Sequence, residues 1–87
     1  MAPRHECPVK ALHDALQRLE DVRRGRKDVA APSDTTLITY FDLAMSKHEF
    51  GQLARTRALD RLVPLRPHLV RSLGEKYSLT PTPRQQK

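Results

Sequence analysis

Proline restricts where this chain can form helices. It has no amide hydrogen and its ring clashes with the preceding turn, so it is tolerated at a first helical position and stops a helix elsewhere. Seven prolines fall within 87 residues. Pro8 and Pro67 stand where they can open helices, and Pro64 closes one. Pro32 belongs to a connecting loop over Asp28–Ser33. Pro81 and Pro83 keep the segment from Ser78 to Lys87 out of any helix.

Between these stops the apolar residues recur at helical spacing. From Pro8 to Arg24, Val9, Leu12, Leu16 and Leu19 follow a 3-4-3 rhythm, flanked by Ala15 and Val22. That rhythm gives one narrow stripe. Asp14 with Arg18 and Glu20 with Arg24 are i,i+4 pairs in the favourable orientation. From Pro67 to Tyr77, Leu69, Val70, Leu73 and Tyr77 form a second stripe, weakened by Gly74. Aromatic residues are few (Tyr40, Phe41, Phe50 and Tyr77, with no Trp), so the core is mostly Leu and Val. The expectation is an all-α fold, a small bundle of three to four helices. One helical domain over residues 8–77 would lie between a loose arm, 1–7, and a disordered or extended tail, 78–87. A chain this short buries only ~60–65% of its unfolded surface. The first stripe therefore either docks on the central helices or pairs with a second copy. In the second case Val9, Leu12, Leu16 and Leu19 form a homodimer seam.

The central stretch, Leu37–Leu53, carries the densest local signals. Ser46 followed by Glu49 fits a capping box, and Met45 with Phe50 fits a hydrophobic staple, so a helix is predicted to begin at Lys47. On that helix Phe50, Leu53 and Ala54 face inward, with His48, Gln52 and Arg55 roughly opposite. Arg57 then falls on the inner side, while Leu59, Leu62 and Val63 drift off the face. With an apolar segment before it, Thr35–Leu43, and the turn Ala44-Met45-Ser46 between, the outline resembles a helix-turn-helix. The resemblance implies a second helix reading a major groove. It rests on Leu43, Met45, Phe50 and Leu53. It departs from the motif at Ala44, where glycine is usual, at Tyr40, where a small residue is usual, and at Gly51 inside the second helix. Thr35–Phe41 is also rich in β-branched and aromatic residues. As a helix, capped by Ser33 or Asp34, it carries Leu37, Phe41 and Ala44 on one stripe, with Ile38 and Tyr40 flanking. As a strand it would belong to a strand-helix-helix ribbon dimer, again a DNA-binding architecture.

Charge bears on partners. The formal net charge is +6 and the isoelectric point is about 10.1. Four cations crowd into Arg23-Arg24-Gly25-Arg26-Lys27, a pattern suited to phosphate contact, to a targeting signal, or to a solvated helix end. Two functions follow as expectations. The first is a small nucleic-acid-binding protein, DNA before RNA, of the regulator or phage-accessory kind, contacting its partner through Arg23, Arg24, Arg26, Lys27, Lys47, His48, Gln52 and Arg55. The second is an interaction module (subunit, adaptor or inhibitor) on an acidic protein surface, with helix 1 or an outward Leu59, Leu62 and Val63 as its apolar contact. His5, Cys7 and His13 do not supply the four ligands of a structural zinc site. No catalytic motif, cofactor or metal is expected, and no enzyme activity. The single cysteine and the absence of a long apolar run predict a cytoplasmic chain without a membrane partner.

Overall fold

A computed structural model of the chain describes residues 7–83. It is all-α. The order is α1 (Pro8–Arg23), α2 (Asp34–Met45), α3 (Gln52–Leu62) and α4 (Pro67–Tyr77). No strand occurs among the described residues, so Thr35–Phe41 is helical and the ribbon alternative drops out. Contacts divide the chain into two compact units, Met1–Phe50 and Gly51–Lys87. The arm 1–6 and the terminal residues 84–87 lie outside the described residues.

In the first unit α1 packs on α2. Leu12, Ala15, Leu16 and Leu19 of α1 are buried, as are Leu37, Phe41, Ala44 and Met45 of α2. The 3-4-3 stripe is thus consumed inside the chain. Of the four residues Val9, Leu12, Leu16 and Leu19, Leu12 and Leu16 have no exposed surface at all and Leu19 almost none, while Val9 is half-buried. Ser33 begins α2 by accepting the amide of Thr36 at 3.1 Å, and Thr39 returns its hydroxyl to the Thr35 carbonyl at 2.9 Å. The latter bond gives a β-branched residue a place inside a helix.

The helix predicted at Lys47 does not form. Ser46 is the C-cap of α2, and its hydroxyl donates backward to the Leu43 carbonyl at 2.6 Å. The chain then runs through successive turns, Lys47 N–H to Ala44 and Phe50 N–H to Lys47, both at 3.0 Å. Phe50 is thereby buried and meets the His13 ring edge-on, with centroids 6.5 Å apart. Gly51 is the N-cap of α3, in extended conformation, and its carbonyl accepts from Arg55 at 2.9 Å. Glycine is acceptable at that position, so the residue expected to weaken a helix interior instead precedes the helix.

In the second unit α3 packs on α4. Because Phe50 is not on α3, it does not set the inner face of α3. Ala58, Leu59 and Leu62 do, and all three are fully buried, while Arg57 is exposed and Leu53 is 63% exposed. On α4 Leu69 and Leu73 are buried. α4 closes with Ser78 in the left-handed region (φ 57°, ψ 44°) and Leu79 N–H bonded back to the Gly74 carbonyl at 2.9 Å. This is the Schellman closure, with serine where glycine is usual. Leu79 is buried behind it, and a Cβ on Gly74 would stand 2.9 Å from the Leu79 carbonyl oxygen. The chain therefore turns back against α4, and the described residues Ser78–Pro83 are not helical.

Two neighbouring substitutions should have opposite signs. Ser78→Gly relieves the left-handed strain and should stabilise α4 by about 0.5–1 kcal/mol. Gly74→Ala gains helix propensity but overpacks the closure, and should cost about 1–3 kcal/mol. Amide hydrogen exchange along α4 measures both.

Candidate nucleic-acid interface

The four cations from Arg23 to Lys27 emerge at the C-terminal end of α1. Arg23 ends the helix, Arg24 caps it, and Gly25 takes a positive φ of 101° that releases the chain sideways. Cations suit this end, where the helix dipole is negative. All four side chains are exposed, yet they are not equivalent. Arg26 turns back on the chain. Its backbone N–H donates to the Asp21 carbonyl at 3.0 Å and its Nη1 reaches the Asp21 carboxylate at 3.2 Å. Its Nε donates to Asp28 Oδ1 at 2.9 Å, and its Nη2 also meets the Asp28 carboxylate. Arg26 is thus shared between two carboxylates and closes the loop on the helix end. Arg23, Arg24 and Lys27 make no ion pair among the described residues.

The electrostatics follow that geometry. The Arg26 guanidinium, bonded to Asp28, holds the Asp28 carboxyl below its usual range, with help from a backbone hydrogen bond. Asp28 and then Asp21 raise Arg26 above its ordinary value. Glu20, Asp21 and Asp28 sit among the four cations, so the local excess of positive charge is small. It is concentrated on Arg23, Arg24 and Lys27.

The other expected contact residues lie elsewhere. Lys47 and His48 are in the turns after α2, both exposed. Phe50, two residues on from His48, touches His13 in the first half of α1. α1 has 16 residues and so is roughly 24 Å long. Lys47 and His48 therefore neighbour the opposite end of the first unit from Arg23–Lys27, and Glu49 Oε1 lies 3.9 Å from His48 Nδ1. Gln52 and Arg55 are in the first turn of α3, in the second unit. His48, Gln52 and Arg55 do not share one helix face, because His48 precedes the helix. Of the apolar residues that carried the helix-turn-helix resemblance, Met45 and Phe50 are buried, while Leu43 is 48% and Leu53 63% exposed.

The remaining features narrow the chemistry. Cys7 is a free, exposed thiol at the N-cap of α1. His13 is engaged with Phe50, and His5 lies outside the described residues. No cluster of three His, Cys, Asp or Glu side chains fit to hold a metal occurs among the described residues, and no described helix is long and apolar enough to cross a membrane. Asp14 pairs with Lys10 at 3.3 Å rather than with Arg18. Leu59 and Leu62, offered above as an outward apolar contact, are fully buried. Compared with protein-family models, curated proteins and solved structures, the chain matches none.

Sequence reasoning missed the role of Arg26. The signal was present in the i,i+5 and i,i+2 placement of Asp21 and Asp28 around it, which only a reversal at Gly25 brings together. Because the folded Asp28 is depressed, its contribution is present above the unfolded Asp range and is lost as pH falls through the folded value. Arg26→Gln should return the Asp28 carboxyl towards its ordinary value, about 3.9. A carboxyl NMR titration of Asp28 in both proteins would detect this, and an unchanged Asp28 would refute the pairing.

Proposed function

We propose that this chain is a binding protein that engages nucleic acid through the phosphate backbone, with Arg23, Arg24 and Lys27 as its principal contacts. The observation that carries the reading is the division of labour at the end of α1. Arg26 absorbs Asp21 and Asp28 and holds the loop, which leaves three exposed cations on a fixed support. The net charge of +6 adds a long-range attraction to any polyanion.

Phosphate contacts position a protein on a duplex but carry no sequence information directly. The His48, Gln52 and Arg55 face, on which base reading rested, is not a helix face. The reading preferred is therefore sequence-independent binding. An acidic protein surface would satisfy the same cations. For that alternative Leu59 and Leu62 are buried, which leaves the half-buried Val63 and the exposed Leu43 and Leu53 as apolar contacts, and buried apolar anchors supply most of the energy at protein interfaces.

Affinity for a short DNA duplex should fall linearly with the logarithm of salt concentration, by about 0.9 in slope for each phosphate neutralised. Replacing Arg23, Arg24 and Lys27 together by Gln should lower that slope by roughly 2–3 and weaken duplexes of unrelated sequence alike. Fluorescence anisotropy over a salt series makes the measurement. A slope untouched by the triple substitution, or strong preference for one duplex sequence, would count against the proposal.

A further inference from the structure

The second unit holds a segment of its own chain in the manner of a bound peptide. Beyond the Schellman closure, Thr82 is gripped by one side chain, Asp60 of α3. The Thr82 backbone N–H donates to Asp60 Oδ1 at 2.8 Å, and its hydroxyl donates to Asp60 Oδ2 at 2.6 Å. Both oxygens of one carboxylate are thus spent on both donors of one residue. A proline at that position has no N–H to give, and valine or alanine has no hydroxyl. The pairing selects serine or threonine.

The flanking residues complete the pattern. Pro81 and Pro83 line a cleft of about 550 Å³ together with Asp60, Val63, Pro67 and Val70. Proline fixes its own φ and biases the residue before it to extended conformations. A Thr-Pro-Thr-Pro segment therefore loses little freedom when it is held straight, the property that proline-rich ligands exploit on apolar grooves. Pro81, Thr82 and Pro83 form one wall of that cleft, and the α3 and α4 residues form the other. Thr82 and Pro83 are exposed, so the segment can leave without opening the core.

We propose that the face of α3 and α4 carrying Asp60, Val63, Pro67 and Val70 is a recognition site for an extended Ser/Thr-Pro segment of another polypeptide, and that Pro81–Pro83 occupies it in cis. Tethering gives the resident segment an effective concentration on the millimolar scale, so an incoming peptide competes with it. The site does not depend on the nucleic-acid reading, because none of its residues is among the cations.

The experiment uses the full chain and the synthetic peptide Leu-Thr-Pro-Thr-Pro-Arg, followed by two-dimensional amide NMR. Wild type should show weak, saturable shifts along α3 and α4. Thr82→Val, which releases the resident segment at an exposed position, should bind the peptide about tenfold more tightly, in line with removal of a tethered competitor. The double variant Thr82→Val with Asp60→Asn should lose that gain. A peptide carrying Val in place of both threonines should bind neither chain, a control that needs no altered protein. Equal affinity of wild type and Thr82→Val, no saturable shifts with either, or equal binding of the Val peptide would overturn the proposal.

Discussion

The leucine stripe of α1 is the constraint on which the first unit depends. A chain with four aromatic residues and no Trp has little bulk to bury, so its interior must come from aliphatic side chains at helical spacing. Leu12, Leu16 and Leu19 supply one side, and Leu37, Phe41 and Ala44 the other. Each fully buried Leu contributes about 1.5–3 kcal/mol against the entropy of ordering the chain. No polar or charged side chain is buried anywhere among the described residues, so no part of this gain is offset by stranded charge. The thinness of the interior also explains why Phe50 is drawn in beside His13. One large side chain just beyond α2 is worth more inside the first unit than as the first apolar residue of a helix.

That competition explains what could and could not be read from the residues. α1 and α4 are legible because Pro8 and Pro67 fix their starts and a single stripe runs through each. α2 is legible once the Ser33 cap and the Leu37, Phe41, Ala44 stripe are weighed together, against a composition that also suits a strand. α3 is not. Ser46 and Glu49 satisfy the spacing of a capping box, but the rule describes only local hydrogen bonds. It does not include the burial available to Phe50, which folds residues 46–50 into turns and defers the helix to Gln52. Everything inferred from a helix beginning at Lys47 shifts with it: the inner place of Arg57, the outward place of Leu59 and Leu62, and the shared face of His48, Gln52 and Arg55. The described part of the tail, Ser78–Pro83, makes a related point. Proline content excludes a helix but does not exclude docking. The Thr82 grip on Asp60 depends on a residue 22 positions away, a separation that no local pattern reports.

The candidate interface was half legible. A run of four cations is visible in any reading, but the chain does not treat them as a unit. Gly25 reverses the backbone, and that reversal brings Asp21 and Asp28 to one guanidinium. Exposed ion pairs of this kind contribute little to global stability. Their effect is geometric, since a loop closed on a helix end presents its remaining cations from a defined place. Asp21 and Asp28 thus reduce the net charge of the cluster while fixing the position of what is left of it.

The same distinction bears on specificity. A helix that reads bases must place several side chains at fixed spacing along one face. Here the imidazole of that intended face lies in a turn and the amide and guanidinium lie in the following helix, so their relative spacing is not set by one helical repeat. Cations at a helix end require no such register. On the proposed reading their partner carries charge uniformly along its length, where a shift of one base pair changes nothing. On the proposed reading, in which packing builds a turn where local signals favour a helix, contact by charge is the form of nucleic-acid binding that fits the positions of these residues.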